Sequence, residues 1–236
     1  MPRTKHWNLS HNATGDFETG PRDLNRAIVS DDRAKIVFAS GNPGKIREVA
    51  ALLQDLAFEI VPQSEFGIGP VDEDGTTFVE NALKKARHAA ARSGLPAIAD
   101  DSGLVVDELD GRPGVRSARY AGSDATDADN NAKLLGELRG VPPERRGAGF
   151  HCAAVLVDPD VALEPLVAEG VWRGRIVEEP RGDGGFGYDP LFYDPGADKT
   201  GAEMTAAEKN RRSHRGIAFR ELKARLVERL VRSERP

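Results

Sequence analysis

Apolar positions fall into two rhythms along this chain, and the switches between them mark its elements. Ile36-Val37-Phe38-Ala39 is a continuous apolar run, which predicts a buried strand over 35–40. Ile46, Val49, Leu52 and Leu53 then recur at helical spacing and predict a helix over 44–55. Phe58-Glu59-Ile60-Val61 reads as a second strand. Thr77-Phe78-Val79-Glu80 has the spacing of a capping box and opens a helix that runs to about Ala91, favoured by alanines at 82, 86, 89 and 90. Pro96–Ala99 and Leu104–Val106 read as two short buried strands, and 127–139 as a helix stopped by Gly140. Phe150–Val157 and Leu166–Val177 predict a hairpin about Asp158-Pro159-Asp160, and 180–201 reads mostly as loop. Ile217, Phe219, Leu222, Leu226, Leu230 and Val231 line one face of a closing helix over 215–232. This order predicts an α/β fold, a mixed twisted central sheet flanked by helices.

The pattern is missing from the first 34 residues, which are polar. They lack the apolar core of a signal peptide, and Asp16, Glu18, Asp23, Asp31 and Asp32 speak against a transit peptide. Residues 1–34 are read as a flexible extension to a single domain over 35–236, with 233–236 fraying. No apolar run approaches the ~20 residues of a membrane helix. The net charge of −5 removes a global field for nucleic acid, so anion recognition has to be local. Cys152 is the only cysteine, which excludes an internal disulfide and a cysteine-based zinc cluster, and fits a cytoplasmic protein.

Five segments carry candidate chemistry. Ser40-Gly41-Asn42-Pro43-Gly44-Lys45 lies between the first strand and the first helix, the layout of a phosphate-binding turn. It is no Walker A loop, because Ala39 and Ile46 stand where that motif needs Gly and Ser or Thr. An ordinary βα turn with a surface lysine is the alternative. Asp100-Asp101-Ser102-Gly103 follows a buried strand, and carboxylates at a strand end suit magnesium, although a capped turn would use the same residues. Adjacent strand residues point to opposite faces, so one aspartate of the pair faces a given site. Asp72-Glu73-Asp74 offers Glu73 as a second metal ligand or is a solvated loop, and Asn81 and Lys85 share one face of the helix that follows. In Gly184-Gly185-Phe186-Gly187-Tyr188-Asp189 the glycines would let Phe186 stack on a base, or the segment is a tight turn around a core phenylalanine. Lys209–Arg215 is a basic run, either a clamp for phosphate or base or a solvated face.

Taken together and in order, these segments resemble the inosine/xanthosine triphosphate pyrophosphatases. The motifs are SGNPGKIREV at 40–49, DEDGTTFVENALKKARHA at 72–89, LPAIADDSGLVVD at 95–107, GRPGVRSARYAG at 111–122, GGFGYDP at 184–190 and SHRG at 213–216. The resemblance covers about Lys35 to Leu230. It implies a cleft between two lobes, hydrolysis of non-standard purine nucleoside triphosphates to monophosphate and pyrophosphate, a magnesium requirement (Mg2+) and a homodimer. It makes Asp101 the catalytic carboxylate and a metal ligand with Glu73. Ser40, Gly41, Asn42, Pro43, Gly44 and Lys45 would bind the triphosphate, assisted by Lys85 and Ser102. Phe186, Gly187, Tyr188 and Asp189 would hold the purine. Lys209, His214 and Arg215 would contact the base and its 6-oxo group, and Asp100 would support the acidic cluster. Three other readings remain open on the residues alone: a related pyrophosphatase for other nucleotides, a nucleotide binder without activity, and a nucleic-acid module resting on the basic run.

Overall fold

The computed structural model describes residues 34–56, 58–160 and 162–233. The expected extension therefore lies outside the described residues except for Ala34, as does the chain end beyond Ser233. The strands are β1 (Ala34–Phe38), β2 (Phe58–Pro62), β3 (Ala97–Val106), β4 (Gly147–Val157), β5 (Leu166–Ile176), β6 (Phe192–Asp194) and β7 (Lys199–Thr200). The α-helices are α1 (Pro43–Leu53), α2 (Phe78–Ser93), α3 (Asp127–Glu137), α4 (Ala206–Arg212) and α5 (His214–Ser233). The strands form one sheet in the order β2-β1-β3-β4-β5-β6-β7. β1 runs parallel to β2 and β3, and every later pairing is antiparallel, so the sheet is mixed as expected.

One expectation needs correction, and three short elements were not anticipated. The strands predicted at 96–99 and 104–106 are one ten-residue strand, β3. The polar residues between them do not end it because β4 pairs with them throughout, Asp100 with Ala154, Asp101 with Ala153 and Ser102 with Cys152. The aspartate pair therefore sits in mid-strand rather than at a strand end. Residues 180–201 are mostly loop, as expected, and hold β6 and β7, which are too short for a hydrophobic period to reveal them. Part of the basic run is helical: α4 starts from a reciprocal cap between Thr205 and Glu208, and extended Ser213 separates it from α5.

The sheet's two faces are packed differently. On one, α1 and α5 bury Phe38, Val49, Leu53, Phe219, Leu222 and Leu226. On the other, α2 lays Ala82, Ala86, Ala89 and Ala90 against Val37, Ala99, Ala153 and Val155. Alanines on both sides let α2 lie close to the strands, so its polar residues sit near β3. A third core, with Leu104, Leu134, Trp172, Tyr188 and Phe192, fills the other end. A cavity of about 300 Å³ opens between these regions, lined by residues from β1–α1, α2, β3, the 114–119 turn, the Phe186 loop, α4 and α5.

Candidate active site

One wall of the cavity is acidic. Asp101 is buried on the α2 side of β3. Its Oδ1 accepts from Lys85 Nζ at 3.0 Å, and its Oδ2 accepts from Asn81 Nδ2 at 3.1 Å. The same Lys85 ammonium donates to Glu73 Oε1 at 3.2 Å. Two carboxylates from distant segments thus converge on one cation. Burial pushes the Asp101 carboxyl up, the charges of Lys85 and Lys45 oppose that, and Glu73 reinforces it. Burial alone would lower the Lys85 ammonium, but Asp101, Asp100 and Glu73 together carry it upward. Arg119, from the 114–119 turn, donates to the Glu73 carbonyl at 2.8 Å and so ties the acidic loop to the opposite rim.

Alternation along the strand sends Asp100 to the other face, as expected. There its direct partners are Lys45, Arg215 and Ser102, while its charge still acts on Lys85 of the acidic pair. Its carboxylate meets Lys45 Nζ at 3.1 Å, Arg215 Nη2 at 3.1 Å and Ser102 Oγ at 2.8 Å. Despite complete burial, Lys45 and Arg215 hold it far below the usual carboxylate range.

At the phosphate turn, Asn42 caps α1: its Oδ1 accepts from the amides of Gly44 at 2.8 Å and Lys45 at 3.1 Å. Those amides are therefore already satisfied, and the turn presents side chains to the cavity. Ser40, Gly41, Asn42 and Lys45 line it, whereas Pro43 and Gly44 do not. Gly44 instead packs under Phe186, where a Cβ would stand 2.8 Å from the ring. This contact is why a glycine is needed here.

The opposite wall is aromatic and basic. Lys209 Nζ lies 4.6 Å from the centre of the Phe186 ring, and the Arg215 guanidinium 5.7 Å. Lys209 is held by Glu48 at 2.9 Å and Asp189 at 2.6 Å. Glu48 also binds Arg215, which is fully buried. Burial would raise Glu48, yet Arg215 and Lys209 hold it low. His214 stacks on Phe150 at 4.8 Å and 12°, and its Nδ1 has no hydrogen-bond partner among the described residues. Burial first, and then the charges of Arg215 and Lys209, push its imidazole well below 6.5. It is neutral at physiological pH.

Every expected site residue except Pro43 and Gly44 borders this cavity. Two of them anchor the wall. The Tyr188 hydroxyl donates to the Ser117 carbonyl at 2.9 Å, and Asp189 Oδ2 accepts from Phe186 N at 2.8 Å. Sequence reasoning missed Glu48, Arg119, Phe150 and Asp127, whose Oδ2 accepts from Gly187 N at 2.6 Å. For Glu48 alone there was a usable signal, an acid three residues after Lys45 in the first helix.

Among the described residues, no group of three or more His, Cys, Asp or Glu is placed to hold a metal. The pair Asp101 and Glu73 beside an open cavity still fits magnesium, which takes one or two carboxylates and completes its shell with water and phosphate. Both carboxylates already bind one cationic group, the Lys85 ammonium.

The model of the Ham1 family matches residues 36–225. A dITP/XTP pyrophosphatase of Xanthomonas oryzae pv. oryzae is 57% identical over 191 residues, 81% of this chain and 96% of that protein. One from Yersinia pseudotuberculosis is 55% identical over 186 residues, 79% of this chain and 94% of that protein. The solved structure of a HAM1 protein from Coxiella burnetii superposes with a TM-score of 0.76 at 49% identity, covering 83% of this chain and 99% of that one.

Proposed function

The chain belongs to the Ham1 family, and on that premise we propose that it hydrolyses non-standard purine nucleoside triphosphates, deoxyinosine, inosine and xanthosine triphosphates, to monophosphate and pyrophosphate. The observation that carries this reading is the convergence of Asp101 and Glu73 on one cation, across a 300 Å³ cavity from a Phe186 platform backed by Lys209 and Arg215. An acidic pole and a basic aromatic pole this far apart in sequence suit a nucleoside triphosphate bound lengthwise.

Glu73 and Asp101 would hold a divalent cation, magnesium, which when bound neutralises charge on the phosphate oxygens and acidifies a coordinated water. Asp101 Oδ1 accepts the proton of the water that attacks the α-phosphorus. Asp101 Oδ2 stays on Asn81 and fixes the carboxylate plane. Lys85 and Lys45 offset the charge that builds on the phosphate during attack. Ser40, Asn42 and Ser102 orient the triphosphate, and Phe186 stacks on the purine.

The choice of a 6-oxo purine over adenine rests on donors, and rejection of guanine rests on its 2-amino group. Arg215, Lys209 and a neutral His214 nitrogen present N–H groups to a 6-oxo acceptor. Adenine would set its amino donor against them and leave them unpaired, which is how a polar site rejects an analogue strongly. The same wall is held from behind by Glu48, Asp100 and Asp189, so its donors are fixed before substrate arrives. We read the enzyme as a cytoplasmic homodimer that acts on free nucleotides and binds neither nucleic acid nor membrane. Among the described residues no helix is long and apolar enough to cross a membrane.

The test is pyrophosphate release with magnesium from inosine, xanthosine, guanosine, adenosine and cytidine triphosphates. Release confined to inosine and xanthosine triphosphates is expected. Broad or pyrimidine-selective release would overturn the substrate assignment, and binding without release would overturn catalysis.

A further inference from the structure

Asn81 is fully buried, and its side chain bonds both to Asp101 and to the backbone of the loop that carries Glu73. Its Nδ2 donates to Asp101 Oδ2 at 3.1 Å, and its Oδ1 accepts from Gly75 N at 2.8 Å, two residues from Glu73. The amide thus links strand β3 to the acidic loop through opposite ends of one rigid plane. Its position on α2 is fixed. The Thr77–Glu80 reciprocal cap starts the helix, and Glu80 Oε2 also accepts from Thr76 N at 2.7 Å and Thr76 Oγ1 at 2.8 Å. Lys85 follows one turn later on the same helix face and holds the outward oxygens of Asp101 and Glu73.

The chain leaves no slack around this amide. A Cβ on Gly75 would stand 2.6 Å from Asn81 Oδ1 and 2.9 Å from the Glu80 Cβ. Gly75 is therefore needed for the amide to reach the loop at all. Bonded to Asn81, Asp101 Oδ2 is tied up as an acceptor, which leaves Oδ1 as the oxygen that faces the cavity. Among the described residues, Lys85 is the only side chain that bonds to both Glu73 and Asp101 directly. A divalent cation held by Glu73 and Asp101 would compete with Lys85 for these carboxylates. Apart from Lys85, the link between the two segments runs through Asn81.

We infer that Asn81 is a positioning residue for the reaction: it sets the spacing and orientation of Asp101 relative to Glu73, and so the affinity of the site for its divalent cation and the aim of the attacking water. This rests on the function proposed above. It gives Asn81 no contact with the nucleotide, and separates its effect from that of the Phe186 wall. Partners behind metal ligands typically change metal affinity or activity by about 10–100-fold.

The experiment compares Asn81→Ala and Gly75→Ala with the unaltered chain. The first removes the amide, and the second pushes the same amide from its other end. Mn2+ is titrated into each protein saturated with an α,β-imido inosine triphosphate and followed by electron paramagnetic resonance, without turnover. Steady-state kinetics with magnesium are measured alongside. The expected result is Mn2+ affinity weaker by about 10–100-fold in both variants, kcat lower by a similar factor, and KM for nucleotide within about 3-fold. If Asn81→Ala does not fold, Gly75→Ala and the smaller change Asn81→Ser carry the test. Unchanged Mn2+ affinity and kcat in the folded variants would overturn the inference, as would a raised KM with kcat intact. Failure of the unaltered chain to release pyrophosphate from any nucleotide would instead overturn the proposed function.

Discussion

Asp101 is buried, and burial works against its charge while Lys85 and Lys45 favour it. Burial raises its pKa, so the fold favours the protonated form, and the charged form costs stability at neutral pH. A raised carboxyl stabilises the fold below its unfolded pKa, and that contribution is lost as pH rises through the folded value. Asp101→Asn keeps an acceptor for Asn81 and removes the charge. Turnover is expected to fall by about 100- to 10,000-fold, with a melting temperature equal to or above that of the unaltered enzyme. Near-normal turnover would remove Asp101 from the chemistry. A drop of many degrees would show that the carboxylate is structural. Cys152 marks the opposite case. Burial pushes its thiol up to about 12, and it is a small apolar residue of β4 beside Ser102 of β3, with no reactivity to exploit.

Elements divide into those the chain announces and those it hides. The helix α2 was legible because a capping box, an alanine face and a polar face coincide within 16 residues. The continuity of β3 was not, because Asp-Asp-Ser-Gly carries turn residues and only its pairing with β4 keeps it extended. The helix α4 was hidden inside a charge run, where Lys209 owes its burial to Glu48 and Asp189, residues far away in sequence. The site residues were recognisable one motif at a time, while the Glu48–Arg215–Asp100 network depends on α1, α5 and β3 meeting. One element junction can be probed alone. The first turn of α1 touches the Phe186 loop through Gly44, so Gly44→Ala should push the ring aside. We expect KM to rise by about 5–50-fold, with a smaller change in kcat, since base stacking contributes about 1–3 kcal/mol. An unchanged KM would show that the ring moves without penalty.

On the scale of the molecule, the mixed sheet brings six separate motifs to one cavity and stores charge behind it. Acid tests this store in a set order. His214 is buried neutral with its pKa well below 6.5, so the unfolded chain binds a proton before the folded one does. Its contribution to stability is present above about pH 6.5 and is lost as pH falls below that. Asp100 is depressed, so its contribution persists until pH falls below the ordinary carboxylate value of 3.8. Thermal melts should therefore show a first decline between about pH 7 and pH 5, and His214→Gln should flatten it. A decline of the same size in that variant would assign it to other groups.

The pairing of β3 with β4 runs unbroken from Ala97 to Val106, and Asp101 and Ser102 lie in its middle. Glu73 and Phe186, by contrast, sit on loops outside any named strand or helix. The site thus joins a floor in mid-sheet to a rim built of loops. In hydrogen–deuterium exchange, the backbone amides of 100–103 should open only with global unfolding. Substrate should slow exchange around 72–75 and 184–188 and leave the floor unchanged. The reacting carboxylate then keeps its place through every turnover, and nucleotide entry and product release are left to the rim.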